Sequence, residues 1–382
     1  MNAKIEGIVG REKILGIHYL RGIAALMVVF YHLRTTLNHV YAQSDLGDIM
    51  FSYGAFGVDL FFVISGYIIC YSTEKKERYM RIKYIVRRVF RIYPLLITSL
   101  LFTFFFVSDE SNISALIRSA VPLNTNYSAG SPFFGYNLLS PAWTLTYEIA
   151  FYIIFLVSFA FSHKYRWLIS SVIIILFVCG IQKWQTGNII LNAYNSNSFK
   201  NGTIWHAPLT FLASPLFLDF VYGVVIYKIH NVIKKMRVTE NVITWIKACS
   251  LFIFAISFLE ICSTQVYGHG PLLWGLWCAI LILSGLVYEN FGTIPKSRIL
   301  CFLGDISYSL YLTHAVIIDM FYKYNNIFSI FGKANGISHV LYILILSLFL
   351  AYMVYKLIEL PFIKIGKLIN NGVFDKNCGV NF

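Results

Sequence analysis

Acidic side chains are scarce in this chain. It has 18 Asp and Glu against 31 Lys and Arg, and charged residues make up only 13% of it. Soluble domains carry about 25% charged and about 45–50% apolar residues, whereas here 58% are hydrophobic and 17% aromatic. The stretches between apolar runs are too short for a soluble domain of real size, so one membrane domain is expected. Cysteine is thinly scattered: Cys70, Cys179, Cys249, Cys262, Cys278, Cys301 and Cys378 are odd in number and form no metal or redox spacing. No metal is expected. Internal repeats and low-complexity stretches are lacking. So is a cleavable signal peptide, because a polar leader precedes a first apolar run whose Arg21 and His32 make it a poor disposable core.

What the chain does have is apolar runs about twenty residues long, the length needed to span a bilayer. They begin near residues 15, 54, 94, 141, 166, 206, 242, 270, 302 and 338. The expected fold is an all-α polytopic membrane protein of about ten transmembrane helices. A leader over 1–14, a transmembrane domain over 15–362 and a short tail over 363–382 complete the division. Cytoplasmic loops retain Lys and Arg. With both termini cytoplasmic, 22 of the 31 basic residues fall on the inner side, and the outer side keeps only Arg118, Lys183, Lys200, Lys323 and Lys333. A multi-pass protein of a plasma membrane is expected, with the bacterial inner membrane as the expected location. The net charge of +13 is then mainly topology and gives no sign of nucleic-acid binding, because it sits in short juxtamembrane loops.

Arg21 and His32 lie within one apolar run, GIHYLRGIAALMVVFYHLRTTL. In a helix their spacing is three turns plus about 20°, a rise of about 16 Å on one face. With Arg21 near one membrane surface, His32 comes close to the midplane, where an ionisable group is costly unless it faces protein or water. A functional pair is expected; a snorkelling Arg and a core His bonded to another helix are the structural alternative. In RIKYIVRRVFRIYP, Arg87 and Arg91 are neighbours on one helical face and can grip one anion together. Pro94 is expected in the first turn of the third span, where its missing N–H costs nothing. Guanidinium forks match phosphate oxygens, so this pair suits either a phosphorylated ligand or lipid headgroups. Arg21 has the same expected depth, and His32 lies above it by about the reach of a pantetheine arm.

These residues resemble the motifs of acyltransferase family 3, integral membrane enzymes that acylate sugars and other hydroxyl acceptors. Arg21 to His32 resembles its basic residue, ten residues, then His. GVDLFFVISGYII is similar to its second-span signature, with Gly57, Asp59, Ser65 and Gly66. Arg87 and Arg91 match its Arg-x-x-x-Arg segment. SPAWTLTYEIAFY aligns Trp143, Glu148 and Tyr152, with Thr144 where Ser is usual. GDISYSLYLTH carries Ser307, Tyr308, Tyr311 and His314, and IELPF carries Glu359 and Pro361. The resemblance runs through most of the chain. It implies acyl-CoA as donor on the cytoplasmic side and commonly an extracytoplasmic or lipid-linked glycan as acceptor.

Acyl transfer from thioester to hydroxyl needs a base near neutral pH, and His32 fills that role or attacks the thioester itself. A carboxylate can orient such a ring. Glu148 is the first candidate, a structural bond to another helix being the alternative. Asp59 either shapes the acceptor mouth or caps its helix. Glu359 is better placed to meet Arg21 or an inner Arg than His32, and Pro361 helps end the last helix. Tyr308 and His314 stand on a tyrosine-rich span where core packing outweighs catalysis, Trp143 belongs with the supporting residues, and Asp219 is an acceptor contact without a motif. The expected function is transfer of an acyl group, foremost acetyl from acetyl-CoA, to a cell-envelope or exported polysaccharide or its lipid-linked precursor. Arg21, Arg87 and Arg91 hold the donor. A transporter or flippase of a glycan or acyl compound is the rival, and it would sit better with a repeat between the two halves. A purely structural subunit would leave the His32 and Arg pattern unused.

Overall fold

The computed structural model describes residues 13–108, 112–121, 123–124, 126–127, 129–194, 206–324 and 335–372. Within them ten helices are long and apolar enough to cross a membrane, and no strand occurs among the described residues. They are α1 (Leu15–Leu37), α2 (Leu46–Ser72), α3 (Met80–Val107), α4 (Ser140–Phe161) and α5 (Arg166–Thr186). The second half holds α6 (Pro215–Ile233), α7 (Glu240–Ile261), α8 (Trp274–Phe291), α9 (Arg298–Lys323) and α10 (Ile337–Gly372). The protein is therefore an all-α polytopic membrane protein. α2 and α9 are largely enclosed by the others, while α7 turns nearly its whole surface outward.

In lipid, helices associate through close backbone approach rather than through hydrophobic burial, so small residues mark the crossings. At the α2–α6 crossing a Cβ on Gly66 would lie 2.1 Å from the Phe220 carbonyl oxygen, and one on Gly223 would lie 2.0 Å from that of Val63. Helix ends are closed by neighbours. Ile14 cannot cap α1, so Glu289 of α8 accepts the Leu15 and Gly16 N–H groups at 2.7 and 3.0 Å. Arg166, first residue of α5, donates to the Thr73 and Cys70 carbonyls at the end of α2, at 2.9 and 3.4 Å.

Several boundaries differ from the sequence reading. α3 starts at Met80, so Arg87 and Arg91 stand on the spanning helix, and Pro94 lies deep within it rather than in its first turn. The lost N–H bond is outweighed by the buried stripe of Tyr84, Ile92, Leu95, Leu96 and Ser99 that runs past it. α6 begins at Pro215 rather than near 206, because the proline holds Ser214 extended (ψ 126°) and separates a short helix, His206–Leu212. The domain boundary at 362 falls inside α10, which continues to Gly372 through a π-helical turn, Tyr355–Glu359. Pro361 follows that turn and does not end the helix; the longer i to i+5 spacing absorbs its missing donor. Finally, Arg21 and His32 flank the midpoint of α1, which puts His32 about 9 Å beyond it.

Candidate active site

α1, α2, α3, α4 and α9 line a cavity of about 120 Å³. Its floor is cationic. Arg21 enters from α1, and Arg88 and Arg91 enter from α3. The Arg88 guanidinium lies over the Tyr152 ring, 4.6 Å from its centroid, and its Nε is buried without a hydrogen-bond partner. Glu148, on the α4 wall, accepts from Ser65 Oγ at 2.9 Å and from the Tyr152 hydroxyl. Behind the lining, Glu359 accepts from Ser309 Oγ at 2.7 Å and has Arg91 and Arg21 as its cationic neighbours. The π-helical turn carries it into the interior, where it balances part of the arginine charge.

The opposite wall is aromatic. Tyr308 lines the cavity and donates to the Ile92 carbonyl at 2.9 Å. The Tyr311 hydroxyl lies 2.9 Å from Thr144 Oγ1 and 3.2 Å from the Pro141 carbonyl oxygen, which ties α9 to the start of α4. Beyond Tyr311 comes His314, ring centroids 6.1 Å apart, and beyond it His32, at 5.2 Å. His32 is exposed. The cavity and His32 are therefore separated by the rings of Tyr311 and His314.

Two expected pairings are not formed. Glu148 is bonded within the cavity, while the aromatic neighbours of His32 are Tyr31 and His314. Arg87 does not share the lining with Arg91; it is turned aside and ion-paired with Glu77 at 3.1 Å. Its place is taken by Arg88, which the sequence reading passed over. The signal was present: Ile92, Leu95 and Leu96 set the buried phase of α3, and Arg88 is one turn below Ile92 on that phase, whereas Arg87 is not.

Asp59 neither caps α2 nor opens onto the cavity. It is fully buried, its Oδ2 lies 2.6 Å from His269 Nδ1, and its Oδ1 accepts the Gly270 N–H at 2.9 Å. Asp219 faces it from α6, with carboxyl oxygens that find no donor. Trp143, at the start of α4, packs its ring 6.0 Å from that of His269. His269 was not singled out from the sequence, and a lone loop His gives no spacing by which to find it. Among the described residues no group of three or more His, Cys, Asp and Glu could hold a metal ion.

Comparisons to known proteins give the family. The chain is 25% identical over 322 residues to the exopolysaccharide production protein ExoZ of Rhizobium meliloti, covering 83% of this chain and 92% of that protein. It is 26% identical over 383 residues to a protein of Staphylococcus aureus named "Putative O-acetyltransferase", covering 92% of this chain but only 57% of that longer protein. No solved structure matches. The acyltransferase domain of family 3 matches residues 14–356, and the chain belongs to that family of membrane acyltransferases.

Proposed function

We propose that the protein transfers an acetyl group from cytoplasmic acetyl-CoA to a hydroxyl of an envelope or exported polysaccharide, or of its lipid-linked precursor. The observation that carries this reading is the cavity in which Arg21, Arg88 and Arg91 converge with an unpartnered guanidinium nitrogen. Three fixed cations inside a bundle suit the phosphates of CoA, because the donor groups are already desolvated and aimed. ExoZ of Rhizobium meliloti is named for exopolysaccharide production, which supports a carbohydrate acceptor.

In this reading the arginines hold the CoA phosphates and the pantetheine arm runs up past Tyr311 toward His32. His32 takes the proton of the acceptor hydroxyl as its oxygen bonds to the thioester carbonyl carbon. The carbon–sulfur bond then breaks, and the proton on His32 passes to the departing CoA sulfur. The products are the O-acyl ester and free CoA. Glu148, tied to Ser65 and Tyr152, shapes the electrostatics of the donor end.

Acetyl-CoA binding by the detergent-purified protein tests the donor site. Arg88→Lys and Arg91→Lys preserve charge but remove the fork, and each should weaken binding by roughly ten- to a hundredfold. Arg87→Lys, remote from the lining, should change it by less than about threefold. Equal losses at all three positions, or none, would remove the assignment of the cavity to the donor.

A further inference from the structure

His314 is fully buried in α9, and its two ring nitrogens are unequal. Nδ1 lies 3.1 Å from the Leu310 carbonyl oxygen, one turn back. A carbonyl can only accept, so Nδ1 carries the hydrogen and Nε2 is left as an acceptor. That Nε2 is buried and has no hydrogen-bond partner. Buried polar atoms of this kind are uncommon and call for a use.

The neighbouring polar ring is that of His32, 5.2 Å away between centroids at an interplanar angle of 46°. His32 is exposed and His314 stands buried beside it. An imidazole that is to accept a proton must place its other N–H on an acceptor, which fixes the tautomer and supports the positive charge that develops. The other groups nearby do not serve. Arg34 is a cation committed to Asp48 at 3.0 Å and stacked on Tyr31 at 4.0 Å, and Glu148 is bonded inside the cavity. The two imidazoles are in contact without a hydrogen bond, a common condition of catalytic pairs before substrate tightens them.

We propose that His314 is the positioning residue for His32: its Nε2 accepts the His32 ring N–H and leaves the opposite nitrogen of His32 to take the hydroxyl proton. His314 itself neither gains nor loses a proton, held in one tautomer by Leu310. The assignment rests on His32 acting as the base.

Asparagine and glutamine separate the two nitrogens of His314. His314→Asn keeps a donor toward Leu310 and removes the Nε2 acceptor, whereas His314→Gln places an amide oxygen where Nε2 stood. Both would be reconstituted in liposomes beside the parent and His32→Ala. Turnover would be read from labelled acetyl-CoA into envelope polysaccharide taken from cells lacking the protein. His314→Asn should lower kcat by about a hundredfold without changing KM for acetyl-CoA, and His314→Gln should return to within about tenfold of the parent. A second reading needs no turnover. The rate at which diethyl pyrocarbonate modifies His32, followed by peptide mass spectrometry, should fall roughly threefold or more in His314→Asn, as ring basicity falls with the lost acceptor. Equal activity in the Asn and Gln variants, or a parental modification rate in His314→Asn, would overturn the assignment while leaving the base in place. An active His32→Ala would remove the base and this assignment with it.

Discussion

Asp59 stands midway along α2, where its segment Gly57–Ser72 begins, and makes no cap there; both of its oxygens are spent on the loop that leads into α8. The sequence offered only its position in a motif, and a motif cannot say which neighbour a side chain will meet across the fold. The same limit applies to His32, whose ring faces another histidine rather than the expected carboxylate. Arg21 and Glu359 turn inward, as a charge in an apolar helix must, whereas Tyr308, expected to serve core packing, lines the cavity. For Asp59 a measurable consequence follows from its burial. Removing one partner of a buried, hydrogen-bonded pair costs about 3–5 kcal/mol. Asp59→Ala should therefore lower thermal stability sharply and open the 267–273 loop to protease, while acetyl-CoA binding by the surviving folded fraction stays parental. A parental melting temperature would contradict the structural role.

Among the elements, hydropathy located all ten spans, because the length of an apolar run is set by the bilayer and not by tertiary detail. Boundaries failed where a helix continues into polar sequence. α3 gains about its first four turns from a basic segment whose inner stripe is buried, and α10 runs on past Pro361 by changing to a π-helical turn. Neither is visible to a hydropathy window, since both are decided by what the helix packs against. The glycine crossing of α2 and α6 makes a sharper statement. A side chain on Gly223 would meet backbone at 2.0 Å, and no rotamer can relieve that. Gly223→Leu should cost at least about 3 kcal/mol and sharply reduce folded protein in the membrane fraction, whereas the same change at Gly180, which has open space around its Cβ position, should be tolerated. Size-exclusion profiles of the two detergent extracts compare them directly; equal yields would contradict the crossing.

At the scale of the whole molecule, ten crossings return the described chain to the side on which it began. In the proposed orientation the side where the basic residues gather is the cytoplasm, so that the arginine floor of the cavity faces the proposed donor and His32 lies toward the other side. Cysteine tags at 76, 163 and 235 should react only from the cytoplasm, and tags at 42, 188 and 265 only from outside. A tag at 76 reacting from the same side as one at 188 would break the arrangement. The central claim is that His32 carries acetyl transfer across this bundle, and one measurement meets it most directly: label passing from acetyl-CoA to envelope polysaccharide in liposomes holding either the parent or His32→Ala. The parent should label the polysaccharide, and His32→Ala, present at equal abundance and binding acetyl-CoA normally, should fall by at least about a hundredfold. Turnover in His32→Ala within about twofold of the parent would contradict the account.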